Sequence, residues 1–196
     1  ILYQEALAAM PMSAPLLGNY ANFLANRRED LDRAEDYYRR AVEADSKHAL
    51  HLGNYANFLV NRRGDFDRAE EYFRRAIEAD PKSARWLGAY ALFLVKRRGD
   101  IDRAEEHFRQ AIEADPKNSI HLGNYANFLL KRRGDFDRAE AHYQRAIEAD
   151  PKSAHWLGNY ALFLEIQRGD FDRAEDHYRR AIEADPKSAR WLGAYA

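Results

Sequence analysis

Cysteine is absent from the 196 residues, which excludes disulfides and thiolate metal sites. Its absence does not fix a compartment, but nothing demands an oxidising one, and the chain reads as cytoplasmic. Charge of one sign is also missing: Lys+Arg number 31 against Asp+Glu 32, so there is no broad basic field for nucleic acid and no acidic tail. No apolar run approaches the ~20 residues that span a bilayer. The opening ILYQEALAAMPM lacks the basic start and long apolar stretch of a signal peptide. It also lacks an initiator Met, and reads as a piece of something longer. There is no Gly-rich phosphate loop, no nucleophile elbow, and no Ser or Cys paired with His. The expectation is therefore a non-enzymatic protein with no cofactor and no metal.

What the sequence does contain is repetition. Gly18, Gly53, Gly88, Gly123, Gly158 and Gly193 fall 35 residues apart, and Tyr20, Tyr55, Tyr90, Tyr125, Tyr160 and Tyr195 keep the same step. Such a fixed period identifies a stacked array and must be recognised before anything else. Each unit holds two helical patterns. Leu52, Tyr55, Ala56 and Leu59 follow the i, i+3, i+4, i+7 spacing of one helix face, and Ala69, Phe73, Ala76 and Ile77 mark a second. Gly64-Asp65 separates the two. Asp67 is the expected N-cap of the second helix, with Glu70 completing a capping box. Asp80-Pro81 stops that helix, since the residue before proline disfavours the α region. Ser83, Ser13, Asn118, Ser153 and Ser188 are expected to cap the first helices, and His48 breaks that series.

The unit resembles a tetratricopeptide repeat. Its closing half, GDFDRAEEYFRRAIEADP, carries the A-x3-F-x2-A-x4-P signature as Ala69, Phe73, Ala76 and Pro81, with Tyr143 and Tyr178 replacing the Phe later. The family period is about 34 residues, and one residue inserted near positions 61–63 reconciles the counts. Leu52 then takes the family's Trp position, Tyr55 its Leu, Ala56 its Gly and Leu59 its Tyr. The resemblance implies an all-α fold, a right-handed α-solenoid of antiparallel helix-turn-helix repeats. Within residues 1–196 it gives a half-repeat at 1–12, five full repeats over about 13–187, and the start of a first helix at 188–196. The 35-residue period is also that of pentatricopeptide repeats, which read single-stranded RNA. The Pro81 class, the A-x3-F pattern and the lack of basic charge point away from them and make nucleic acid a poor partner.

Function by this reading is binding, with a protein or peptide as partner and no membrane. The resemblance places first helices on a concave face. The groove candidates are Asn19, Asn22, Asn54, Asn57, Asn61, Asn124, Asn127 and Asn159, flanked by Arg85, Lys96 and Lys131, with Val60 beside them. Asn is a mediocre residue inside a helix, and its amide suits the backbone of an extended peptide. In related chaperone-tail-binding repeats, Asn and Lys grip a peptide carboxylate; Asn22 and Asn57 resemble the Asn part, while Gly stands where the Lys would be. The blander reading is that these Asn residues cross-link adjacent helices. Each first-helix Gly, costing roughly 1 kcal/mol against Ala, is expected to allow close helix approach or make room for a bulky neighbour; the sharper reading is that the missing side chains open the groove floor to a ligand. A 70-residue rhythm alternates His51 and His121 with Trp86 and Trp156.

Three other features carry less. Arg63-Gly64-Asp65 spells an adhesion tripeptide, but Gly-Asp is what the interhelix turn requires. His107, His142 and His177 share one position on successive second helices and form a half-exposed ladder, not a metal site. The Arg pairs at 27-28, 62-63, 97-98 and 132-133 form a basic edge, expected to be a solvated rim. Finally, the ends lack the polar caps of a closed solenoid. Tyr3 and Leu7 at one end, and Trp191, Leu192 and Tyr195 at the other, are candidates for head-to-tail self-association. The competing view is a structural module, natural or engineered, that only stacks on itself.

Overall fold

The computed structural model describes residues 2–188, 190 and 191. Among them it shows eleven α-helices and no strand. A single helix, α1 (Leu2–Ala9), precedes five hairpins: α2 (Ala14–Phe23) with α3 (Leu31–Ala44), α4 (Ala49–Phe58) with α5 (Phe66–Ala79), α6 (Ala84–Phe93) with α7 (Ile101–Ala114), α8 (Ser119–Phe128) with α9 (Phe136–Ala149), and α10 (Ala154–Phe163) with α11 (Phe171–Ala184). The contacts divide the chain into two compact units, residues 1–107 and 108–196. The all-α, helical-hairpin class expected of a solenoid is what the structure has.

Each first helix runs directly into a five-residue π-helical turn: Leu24–Arg28, Leu59–Arg63, Leu94–Arg98, Leu129–Arg133 and Leu164–Arg168. A π turn accommodates one residue more than the α-helix around it, and these turns span the place where the sequence register put an insertion. Each turn ends on a left-handed residue: Gly64 at φ 70°, Gly99 at 69°, Gly134 at 66°, Gly169 at 65°, and Glu29 at 54°. Only Glu29 carries a Cβ into that region, where glycine is the ordinary occupant. The Arg-Gly-Asp tripeptides are thus turn chemistry.

The caps correct two expectations. The N-cap of α5 is Asp65, whose carboxylate accepts from the Arg68 backbone N–H at 3.1 Å; Asp30, Asp135 and Asp170 do the same in their repeats. The left-handed Gly64 turns the chain so that helix begins at Phe66, two residues earlier than a cap at Asp67 would allow. Glu70 then lies too far along α5 to close a capping box and is used elsewhere. Ser13, Ser83 and Ser153 occupy N-cap positions but make no side-chain cap bond. Asn118, one atom longer, accepts from the N–H groups of Ile120 and His121.

The core is made of small and aromatic side chains in register. Ala34, Ala41, Ala56, Ala69, Ala76 and Ala91 are all fully buried, letting helices approach closely. Phe73, Phe108 and Tyr143, at 1% exposure, pack against aromatic rings of the next first helix. Phe73 packs on Tyr90, with ring centroids 5.7 Å apart, and on Phe93 at 5.5 Å. The first-helix glycines have a definite purpose. A Cβ on Gly53 would lie 2.4 Å from the Trp86 ring, and one on Gly18 2.8 Å from the His51 imidazole. In the second unit Trp156 lies against Gly123 and Trp191 against Gly158 in the same way, each at 2.4 Å from such a Cβ. The aromatic of one first helix therefore lies against the bare backbone of the preceding one.

Candidate binding cleft

Ion pairing divides the arginines into two sets. Glu35 of α3 accepts from Arg63 at 2.7 Å, from Arg68 at 2.8 Å and from the Tyr55 hydroxyl at 3.2 Å. Asp32 adds a bond to Arg63 at 2.6 Å. The pattern recurs one repeat on, with Glu70 bound to Arg98, Arg103 and Tyr90, and in the second unit with Glu140 bound to Arg168, Arg173 and Tyr160. Burial alone pushes the Glu70 and Glu140 carboxyls up, but the surrounding arginine and tyrosine hydrogen bonds outweigh it and hold both below the ordinary value. Arg63 and Arg98, the second residues of their Arg pairs, are therefore inter-repeat fasteners and not a solvated rim.

The first members, Arg62 and Arg97, point elsewhere. Arg62 donates to the carbonyl of Ala25 in the preceding π turn, and the Arg97 guanidinium lies 5.1 Å from the centre of the Phe66 ring. In the unit of residues 1–107 these two arginines border adjoining clefts along the first helices. One, of about 580 Å³, is lined by Asn22, Asn26, Asn54, Asn57, Asn61, Arg62 and Arg85, over Tyr38 and Phe58. The other, of about 250 Å³, is lined by Asn57, Val60, Asn61, Ala89, Leu92, Lys96 and Arg97, over Phe73 and Phe93. Asn57 and Asn61 belong to both.

Several expected site residues are occupied within the fold. Asn22 accepts from the Tyr38 hydroxyl at 2.6 Å, and Asn127 from Tyr143 at 2.8 Å. Burial pushes the Tyr38 hydroxyl up to about 12 and raises Tyr143 further, so both remain neutral donors. Asn54 accepts from Arg85 at 3.2 Å, whose guanidinium sits 4.4 Å from the centre of the Trp86 ring. Asn159, 8% exposed, accepts from Arg190 at 3.1 Å and contacts His155. Asn57 is different. The residue in the Tyr38 position of its repeat is Phe73, which has no hydroxyl, and the half-buried Asn57 amide has no hydrogen-bond partner among the described residues.

The remaining candidates are spread out. Asn19 is exposed and lines neither cleft; Asn124 is half-buried and Lys131 exposed in the second unit. Arg62, Arg97 and Asn26 line the clefts but were not among the residues singled out from sequence; only the Arg pair itself signalled the two arginines. At the ends, Leu7 is buried at 8% exposure and Tyr3 packs on Tyr20 and Phe23. Trp191 is 4% exposed, against Gly158 of its own chain. It is therefore not an open docking residue. Leu192 and Tyr195 lie outside the described residues.

The histidine ladder is a set of ring contacts. His107 lies 4.9 Å from Tyr90, and His142 and His177 lie 4.8 Å from Tyr125 and Tyr160, centroid to centroid. Tyr37 and Tyr72 hold the corresponding places on Tyr20 and Tyr55. No group of His, Asp and Glu among the described residues is arranged to hold a metal. No helix among them is long and apolar enough to cross a membrane.

Helical hairpins of this design, fastened repeat to repeat and open along their first helices, define a helical-repeat scaffold. Tetratricopeptide repeat models match residues 62–119 and 129–189, 107–141, and 14–48; the chain belongs to the tetratricopeptide repeat family. Among curated proteins none matches. Solved structures with the same fold include YrrB, a tetratricopeptide repeat protein with an unusual peptide-binding site, at TM-score 0.68 and 22% identity over 98% of this chain and 96% of its own. MamA superposes at TM-score 0.70 with 18% identity, covering 90% and 94%. PilF of Pseudomonas aeruginosa does so at 0.79 with 21% identity, covering 98% and 85%. At these identities the likeness concerns the fold.

Proposed function

We propose that the chain is an interaction scaffold, not an enzyme, and that it holds an extended peptide segment of a partner protein along the first-helix clefts of residues 1–107. The observation that carries this reading is Asn57. It is a half-buried amide at the junction of two clefts, with Asn61 beside it and no internal partner. An amide in that state offers a donor and an acceptor to a peptide backbone. YrrB is described as having a peptide-binding site, which makes the same use of this fold a natural expectation.

A second reading, that the repeats serve only their own stacking, is favoured by Asn22, Asn54, Asn127 and Asn159, all of which are engaged inside the chain. One substitution separates the two. Phe73→Tyr copies Tyr38 and Tyr143 and supplies the missing hydroxyl to Asn57. A random peptide library displayed on phage and panned on the full chain should yield binders that lose several-fold in affinity for the Phe73→Tyr chain, in line with about 0.5–1.5 kcal/mol for a neutral hydrogen bond. Helicity and unfolding midpoint should hold. Failure to select any binder, or selection of binders indifferent to both Phe73→Tyr and Asn57→Ala, would leave the stacking module as the better account.

A further inference from the structure

The charge around Asn57 says more than the amide does. We propose, resting on the peptide-scaffold reading, that these clefts select peptides whose side chains carry carboxylates.

The arginines divide into two sets. Arg63, Arg68, Arg98 and Arg103 are neutralised by Glu35, Glu70 and their neighbouring aspartates. Arg62, Arg85, Lys96 and Arg97 have no such partner. No carboxylate lines either cleft. A chain with almost equal numbers of each charge has thus collected four uncompensated cations on one face of a single unit. Local fields of this kind recruit the opposite sign and impose register on it.

The arrangement also sets what the anion is attached to. Asn57 and Asn61 line both clefts, with Arg62 and Arg85 in one and Lys96 and Arg97 in the other, so a backbone running past the two amides would meet cations in each cleft. The aromatic rings beneath are closed off: Tyr38 is 3% exposed, Phe58 4%, Phe73 1% and Phe93 4%. Single-stranded nucleic acid relies on exposed rings on which bases stack, and these clefts offer none. An acidic peptide satisfies both the amides and the cations.

The test is fluorescence anisotropy with the full chain and short fluorescein-labelled probes: alternating Glu and Ser, the same peptide with Gln for Glu, and a uridine oligonucleotide of matched length. The Glu peptide should bind about tenfold or more tightly than the Gln peptide, as expected for losing hydrogen bonds to a charged group, and should weaken as salt is added. Lys96→Gln with Arg97→Gln should cost about tenfold for the Glu peptide and little for the Gln peptide. Arg74→Gln with Arg75→Gln removes the same charge from α5 and should leave affinity unchanged. Equal binding of the Glu and Gln peptides overturns the acidic preference while sparing the scaffold reading. No binding of either peptide overturns both. An equal loss in the Arg74/Arg75 variant overturns the placement. Tighter binding of the oligonucleotide than of the Glu peptide overturns the peptide assignment.

Discussion

Replacing Gly53 with alanine opposes two well-calibrated effects at one atom. Gly53 lies inside α4, where Ala is favoured over Gly by roughly 1 kcal/mol; helix propensity alone makes Gly53→Ala stabilising. The structure reverses the sign. The new Cβ would stand 2.4, 2.5 and 2.5 Å from three atoms of the Trp86 indole, where carbon atoms in contact prefer roughly 3.5–4.0 Å. The atoms it meets belong to the rigid ring system, not the far end of a flexible chain, and Trp86 is only 2% exposed. Relief needs the helices to part by about 1 Å or the ring to leave. Overpacking of this kind costs ~1–3 kcal/mol, and losing a buried Trp altogether ~3–5 kcal/mol. Against the propensity gain, the net expectation is a destabilisation of about 2 kcal/mol. Urea unfolding followed by circular dichroism supplies the midpoint. The decisive comparison repeats the substitution in a Trp86→Ala background, where the ring is gone and Gly53→Ala should stabilise by up to ~1 kcal/mol. Stabilisation in the parent chain, or the same loss in both backgrounds, would refute the ring-on-backbone account.

Three shorter predictions follow from the turns and the titrating groups. Glu29→Gly should raise stability by roughly 0.5–1 kcal/mol, because Glu29 is the one non-glycine residue held at positive φ among the described residues, at 54°; an unchanged or lowered urea midpoint would count against it. Burial, with Arg145 and Arg138 nearby, lowers His142 to about 4 from 6.5. Its folded pKa is thus depressed, so its contribution is present above about pH 6.5 and is lost as pH falls toward 4. His142→Tyr, matching Tyr37 and Tyr72, should flatten the stability profile across that window. Glu70 is likewise depressed below 4.5, so its contribution persists above that value and is lost as pH falls through the folded pKa. Glu70→Gln should lower the midpoint at neutral pH and shrink the acid-dependent loss; a profile identical to the parent's would mean the Arg98–Arg103–Tyr90 cluster contributes no stability.

The repeat was legible because period, helix faces and breakers are local properties. Leu52, Tyr55, Ala56 and Leu59 announce a helix whatever surrounds them, and Gly64 announces a turn. The inserted residue was visible as a count, and the structure gives it a form in the π turn. The cap lies two residues before the one the sequence points to, because Asp65 and Asp67 are chemically identical and the choice depends on the backbone direction that Gly64 imposes. The site was harder. A row of Asn residues looks uniform in sequence, yet Asn22 and Asn57 differ according to whether residue 38 or 73, sixteen positions on, carries a hydroxyl. Arg62 and Arg63 likewise look equivalent, and only the position of Glu35 in the preceding repeat distinguishes the arginine held by a carboxylate from the one that meets only the Ala25 carbonyl. The pairing of Trp191 with Gly158, thirty-three positions earlier, is silent in the sequence because Gly158 has no side chain to advertise the contact.

That pairing also makes the joints between repeats unequal. Within residues 1–107, Gly53 is covered by the indole of Trp86, while Gly18 is covered by the smaller imidazole of His51. Both His51 ring nitrogens are buried without a hydrogen-bond partner, and desolvation and the nearby His48 disfavour the charged ring. The first joint therefore covers less surface with a polar ring, and the second covers more with a largely apolar one. In a one-dimensional array, total stability is a sum of such neighbour terms, and the weakest term decides where the chain parts first. The α2–α4 contact is the natural fault line of this unit: amide protons of α2 and α3 should exchange ahead of those in α5 and α6, and the first hairpin should peel away while the Asn57 clefts beyond it remain assembled.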